Sequence, residues 1–505
     1  MEKINPVIVG IAQYTQHRGT KEPLDPLNLM INISQEALID TGTEGVRKLI
    51  DSICVINNHS LSYKDAPSEI SNRLEIDAVN KDYTPMGGNA PQMAVNQAAK
   101  AIALGKSQAI LITGGEAEYT ASRIKKGKIS LNWPKGRRPI YPNKERYMDF
   151  TPFEQKYNLI IPTNFYAVFE TALRAASGKS VEEHTYYMGN LLEKCSKIAA
   201  ENPYSWNQEY LSVEEIITPS PENRLINHPY MKWMTANFFV DQSASLIMVS
   251  EKVAEDLNIN RNQWVYPMGG ADLNNVITVT RRPNLHDSPA IREGHKLALR
   301  QAGLEIDDIN IFDLYSCFPC MIEIARREMG IKEEDPRDLT MTGGLPYFGG
   351  PFNSYSLHAI VTAVDKIRAN PSLKVMILAN GGYNTKQSIG IYGNEPPSES
   401  WGTRDDSIVQ QSILEKELPE PIITAEGDLT VEAYTITYNR EGQPEKGIVI
   451  GRINNGRRTV ANIEAKPEML SILAQKELVG KTFKVQNGCQ NGRNLILIQS
   501  EINID

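Results

Sequence analysis

The chain has 505 residues, 41% of them hydrophobic and 23% charged, and a formal net charge of −8. Domains run to roughly 100–200 residues, so the length implies two to four structural units, and the composition excludes a disordered chain. The acidic balance argues against a general nucleic-acid binder. The five cysteines are odd in number and scattered, unlike a disulfide framework. No stretch approaches the roughly 18 apolar residues that a membrane span needs, and Pro6–Ala12 is too short for a signal-peptide core. A cytoplasmic protein with no metal and no permanently bound cofactor is expected.

In chain order, PVIVGIA (Pro6–Ala12) reads as a strand buried on both faces. Residues 29–48 read as a helix and Ile50–Ile56 as a second strand. The next block is GGNAPQMAVNQAAKAIALGKSQAILITGG, Gly87 to Gly115. It predicts a Gly-Gly loop, an Ala-rich helix, a turn at Gly105, the strand Ala109–Thr113 and a second Gly-Gly. The same grammar returns in GGPFNSYSLHAIVTAVDKIRANPSLKVMILANGG, Gly349 to Gly382. There the turn is Asn370-Pro371 and the strand Lys374–Ala379. The segments upstream also match, EALIDTGTEGVRKLIDSICVINN against LALRQAGLEIDDINIFDLYSC. An ordered match of about five elements points to two diverged copies of one βαβ unit, stacked about a pseudo-two-fold axis. Chemistry is then expected where the two copies' Gly-Gly loops meet.

Between the copies, residues 117–240 form a long insertion with helices at Asn164–Ser177 and Val181–Ala200, and the strand Ser243–Val249 returns to the core. Such insertions commonly cover substrates. NEPPSESWGTRDDS reads as a linker. From about Pro421 the chain alternates apolar and polar residues, with turns at Arg440–Pro444 and Asn454-Asn455-Gly456. A small separate β domain, barrel-like, is predicted there. Residues 428–505 carry ten Lys/Arg and nine Asp/Glu, and the candidate stacking aromatics are few (Tyr434, Tyr438, Phe483). Packing, or docking of a partner protein, suits this domain better than nucleic acid.

On these duplicated blocks, on DQSASLIMVSEKVAEDLNI (Asp241–Ile259) and on NIFDLYSCF (Asn310–Phe318), the chain resembles the thiolase superfamily over roughly residues 5–395. The β-rich tail, with FYAVFETALRAASGKSVEEHTYYMGNL (Phe165–Leu191) and TPSPENRLINHPYMKWM (Thr218–Met234), resembles the thiolase-like proteins of type 1, close to the sterol-carrier-protein thiolases. The resemblance implies an α/β thiolase fold layered α/β/α/β/α, with two duplicated βαβαβ halves, a long lid insertion and a small C-terminal β-rich domain. Residues 1–116 with 241–260 would form the N-terminal half, 117–240 the lid and 261–395 the C-terminal half. A linker, 396–420, and the β domain, 421–505, would follow. CoA or an acyl-CoA is the implied ligand, acyl transfer the implied chemistry and a homodimer the implied habit.

The resemblance also implies catalytic groups that this chain does not carry. The nucleophilic cysteine of a thiolase, activated at a helix N-terminus, falls at about Asn89. The histidine of the Gly-His-Pro loop falls at Gly350, and the Cys-x-Gly loop reads Ala379-Asn380-Gly381. The loop written Asn-Glu-Ala-Phe or His-Asp-Cys-Phe in relatives reads Tyr315-Ser316-Cys317-Phe318. No cysteine lies in 55–194 or 321–488, so a slip in register restores nothing. Thiolysis through a cysteine acyl-enzyme is therefore disfavoured.

The remaining candidates are Tyr315, Asn89, Asn353, His358 and Asn380. Tyr315 ends a central strand and is either a hydrogen-bond donor or acid toward a thioester, or a space-filling phenol. Asn89 and Asn380 are oxyanion donors or merely caps. His358 lies eight residues past Gly350, roughly 12 Å along a helix, and fits a packed histidine better. Arg123, Lys125, Lys126, Lys128, Lys135, Arg137 and Arg138 form an acid-free segment, either a dock for the CoA phosphates or a solvated loop, with Glu116 before it balancing part of the charge. Cys317-Phe318-Pro319-Cys320 raises a rival redox reading. Three functions stay open: non-thiolytic acyl-CoA chemistry, alone or as a subunit of an assembly; a non-catalytic acyl-CoA or lipid carrier; and a redox protein.

Overall fold

The computed structural model describes residues 4–141, 149–488 and 492–498. Two sheets carry the duplicated part. The first holds β1 (Pro6–Thr15), β2 (Ile50–Val55), β3 (Asn80–Tyr83), β4 (Ala109–Ala117) and, after the short lid strands β5 (Leu225–Asn227) and β6 (Tyr230–Met231), β7 (Asp241–Ser250). Its order is β1-β7-β4-β2-β3. The second holds β8 (Tyr266–Asn274), β9 (Ile311–Leu314), β10 (Val375–Gly381) and β11 (Lys386–Gly393), in the order β8-β11-β10-β9. The two orders are the same as far as they run. In the second sheet the edge beside β9 is covered by the extended backbone of Asp338 and Leu339, whose carbonyls accept from Phe312 and Leu314.

The helices Ala90–Ala103 and Tyr355–Ala369 lie between the sheets and share one core with Ile8, Ile112, Leu246, Val375 and Ile377. Pro26–Asp40 covers the outside of the first sheet and Pro289–Ala302 the outside of the second, which completes the α/β/α/β/α layering. The alanine-rich sequence of Ala90–Ala103 follows from this position. A β-carbon on Gly390 would stand 2.2 Å from Gln92 and one on Gly270 2.5 Å from Asn96, so backbone and helix meet with no room for larger side chains. The helix expected over 29–48 is broken in two. Gly42 turns left-handed (φ 71°) after Asp40, and a short helix Gly45–Leu49 follows.

The insertion supplies the helices Pro162–Ser177 and Val181–Glu201, the second opened by a reciprocal Ser180–Glu183 cap. The β-rich tail contains β12 (Gly427–Tyr438), β13 (Pro444–Ile453), β14 (Arg458–Ile463), β15 (Thr482–Asn487) and β16 (Asn494–Ile496). They close as β12-β13-β14-β16-β15-β12, with β14 and β16 parallel, into a five-stranded barrel of the OB type. The helix Pro467–Ala474 plugs one end through Leu470 and Leu473.

Two expectations change here. The linker-like stretch is packed: Trp401 Nε1 donates to Pro267 O at 2.8 Å, and Ile413, on the helix Ser407–Leu414, is buried with Leu273 and Ala290. Its polar composition suits a strap held by hydrogen bonds. The barrel is not separate either, because β12 pairs with lid strand β5 at Thr437 and Asn227, and Ala433, Ile448, Ile450 and Val460 join the main core. No helix among the described residues is long and apolar enough to cross a membrane.

Candidate functional site

The loops that meet are the opening Gly-Gly of the first block and the closing Gly-Gly of the second. A β-carbon on Gly381 would lie 3.3 Å from Gly87 Cα and 2.3 Å from Asn89 Oδ1. Tyr315 reaches the same place from the end of β9. A β-carbon on Gly88 would stand 2.1 Å from the Tyr315 hydroxyl and 2.6 Å from Asn380 O. Glycine is therefore required at 88 by the close approach of the phenol, and the phenol fills space that a longer loop side chain would use. Tyr315 is 6% exposed, and the ring of Tyr355 meets it edge-on at 5.6 Å. Among the described residues its hydroxyl has no hydrogen-bond partner. Burial pushes its pKa up, so it stays a neutral donor.

The three asparagines differ. Asn89 does not cap its helix; its Nδ2 reaches Ser388 Oγ only at 3.4 Å. Asn353 is committed at both ends, accepting from Gly87 N at 2.9 Å and donating to Asn57 O at 2.7 Å, which stitches the two halves together. Asn380 donates to Tyr166 Oη at 2.9 Å and accepts from Gln387 Nε2 at 2.8 Å. His358 is wholly buried; one ring nitrogen meets Gln13 Oε1 at 3.0 Å, and burial lowers its pKa to about 3. It is a neutral, packed imidazole set beside Phe348 (5.3 Å), away from the Gly-Gly contact.

Gly350 donates to Asn237 O at 2.8 Å, so a segment of the insertion closes over this loop. Ala379 is a buried β10 residue paired with Ser388. Cys317 and Cys320 are both free and buried. Burial pushes Cys317 to about 12 and Cys320 well above its ordinary value. A redox pair needs the opposite, an accessible thiol with a depressed pKa, so the C-x-P-C lacks the electrostatics of that chemistry.

Arg123 and Lys125 lie in the helix Glu118–Lys125, and Lys126 and Lys128 follow it. Lys126 sits over Phe239 (5.8 Å), which meets Phe238 at a tilt; Phe238 in turn meets Phe352, and His59 stacks on Phe352 at 4.0 Å. Arg137 N donates to Ser62 O, which ties the loop bearing exposed Arg137 and Arg138 to the same segment as His59. The basic segment thus borders the second-block loop. Glu116 does not balance it. That carboxylate is fully buried and accepts from His59 N (2.6 Å), Ser60 N (2.9 Å) and Ser60 Oγ (2.5 Å), and burial raises its pKa to about 7.

Sequence reasoning did not find Tyr166 or Arg282 and gave Glu116 another role; all three hold site loops. Tyr166 reads as one more apolar residue of a buried helix, and only the fold brings it to Asn380. Two cavities of about 560 Å³ lie elsewhere. One runs along β1 and the helix Pro26–Asp40, and the other between the helix Val181–Glu201 and residues 332–340.

The model of the thiolase-like protein type 1 additional C-terminal domain matches residues 408–490. No curated protein matches the sequence. Among solved structures, the human mitochondrial 3-ketoacyl-CoA thiolase in complex with CoA is similar in fold, with 13% identity over 77% of this chain and 98% of that one, TM-score 0.54. So is an Ltp2–ChsH2(DUF35) aldolase, with 18% identity over 77% and 97%, TM-score 0.59. A monomeric SCP2-thiolase-like protein type 1 from Mycobacterium smegmatis is 30% identical over 98% of this chain and 99% of that one, with TM-score 0.84. The chain belongs to the SCP2-thiolase-like protein type 1 family, a thiolase-fold family with an additional C-terminal domain.

Proposed function

We propose that this protein binds an acyl-CoA between its two halves and acts on it without a cysteine acyl-enzyme, with Tyr315 donating a hydrogen bond to the thioester carbonyl. One observation carries the reading. At the junction of the Gly-Gly loops stands a neutral phenol with no partner among the described residues, while Asn353 and Asn380 are engaged. An uncommitted donor in a low-dielectric setting is what a developing oxyanion needs. Arg123, Lys125, Lys126, Lys128, Arg137 and Arg138 would take the phosphates of CoA. The solved thiolase bound to CoA supports the ligand class by fold alone. The aldolase, whose name joins two components, supports work within an assembly, where a partner protein would meet the C-terminal domain. The likeness to a monomeric relative favours a single copy of this chain over the homodimer.

A second reading, a non-catalytic acyl-CoA or lipid carrier, is favoured by the close fit of Tyr315 against Gly88. Calorimetry separates them. Under the first reading both CoA and acetyl-CoA release heat, and Tyr315→Phe weakens acetyl-CoA about five- to tenfold while leaving CoA unchanged. Equal affinity of wild type and Tyr315→Phe for acetyl-CoA would select the carrier. No heat with either ligand would sink both.

A further inference from the structure

The turn from β10 to β11, Asn380 to Thr385, carries two left-handed residues, Gly382 (φ 67°) and Asn384 (φ 53°). Two side chains from distant parts of the chain hold it. Tyr166 Oη accepts from Asn380 Nδ2 (2.9 Å) and Asn384 N (3.2 Å) and donates to Gly382 O (2.8 Å), which uses its full capacity. Arg282 donates to Tyr383 O (2.7 Å) and Thr385 Oγ1 (3.1 Å).

Both holders are gripped from behind by the C-terminal barrel. On the helix of Tyr166, Thr171 Oγ1 accepts from Tyr434 N at 3.0 Å and donates to Tyr434 O at 2.8 Å, a reciprocal clasp on β12. From β14, the Arg458 guanidinium donates to Thr280 O (3.1 Å) and Arg282 O (2.5 Å), and Glu432 pairs with Arg458 at 2.7 Å. Arg458 is 3% exposed and Thr171 1%, so neither contact is a surface accident. Two independent arms of one barrel end on one loop.

We propose that the C-terminal barrel sets the conformation of the Asn380–Thr385 loop, with Tyr166 and Arg282 as its positioning residues. The family's extra domain is then a brace for the loop beside Tyr315. Its consequence for ligand binding rests on the acyl-CoA reading, but the brace itself does not.

Hydrogen exchange of the full-length chain, followed by mass spectrometry, tests it. Thr171→Val and Arg458→Gln each remove a barrel contact and touch no atom of the loop. Each should speed exchange of the 380–385 amides about five- to tenfold while β1 and β7 stay as in wild type. Thr171→Ser keeps the hydroxyl and should restore the wild-type pattern, which also covers the case that Arg458→Gln does not fold. Tyr166→Phe should show the largest gain at the Asn384 amide. Unchanged exchange at 380–385 in Thr171→Val and Arg458→Gln, with loosening confined to barrel peptides around 434 or 458, would overturn the proposal. The readout needs no ligand, so a wild-type chain silent toward CoA would remove the functional reading and leave the brace standing.

Discussion

The two Gly-Gly loops that open the duplicated blocks have opposite fates. Gly87-Gly88 faces inward, onto Tyr315 and Gly381, and a β-carbon on Gly88 would stand 2.1 Å from the Tyr315 hydroxyl. Gly349-Gly350 faces the lid: Gly350 is bonded to Asn237, and the preceding Phe348 and Tyr347 carbonyls accept from Trp206 and Asn207. The difference teaches that duplication conserves placement and not role. One copy keeps its loop at the meeting point of the halves, and the other has given its loop to closing the lid.

The contrast breaks first at the glycines. Gly88→Ala should cost about 2–4 kcal/mol, because the new carbon collides with Tyr315 and with backbone at Asn380. Gly350→Ala meets nothing closer than 3.4 Å and should cost less than about 1 kcal/mol. Urea denaturation of both variants checks this, and equal costs would erase the asymmetry. Next is Asn353→Ala, which leaves Gly87 N and Asn57 O buried without their partner; about 2 kcal/mol is expected.

Titration sharpens the comparison from both sides. Glu116, at the end of β4, has a folded pKa of about 7, raised by burial. A raised carboxylate favours the folded state at low pH, so its contribution is full below the unfolded value and is lost as pH rises toward 7. His358, on the second block's helix, has a folded pKa lowered to about 3. The unfolded chain then binds the extra proton, so stability is lost as pH falls from about 6.5 toward 3. Denaturation midpoints of Glu116→Gln and His358→Gln across pH 3–8 should each lose one of these slopes. A wild-type slope retained in either variant refutes that assignment. The smallest effect on stability is expected from Tyr315→Phe, within about 0.5 kcal/mol, since its hydroxyl has no partner among the described residues.

The fold was legible in the sequence because its signals were redundant. Apolar runs, glycine pairs and turns recur in order in two blocks, and both sheets follow them. That residues 55–194 and 321–488 hold no cysteine was equally legible, since it needs only residue identity. What each remaining group does was not. Asn353 and Asn380 read alike as amides, yet one ties the backbone of the two halves and the other answers to Tyr166, 214 positions away. Such long-range partners leave no periodic trace. The linker and the separate barrel were misjudged for a related reason: polar composition marks a surface strap as readily as a free one, and a short strand such as β5 does not name its partner.

The pairing of β5 with β12 has a temporal side. Asn227 lies opposite Thr437, and His228 N donates to Ile436 O at 2.8 Å, so the lid's strand waits for sequence synthesised some two hundred residues later. A ribosome moving at about 5–20 residues per second would leave that edge open for roughly 10–40 seconds. During that interval the lid is a template for wrong strands, and expression yield should respond to translation speed between those two positions.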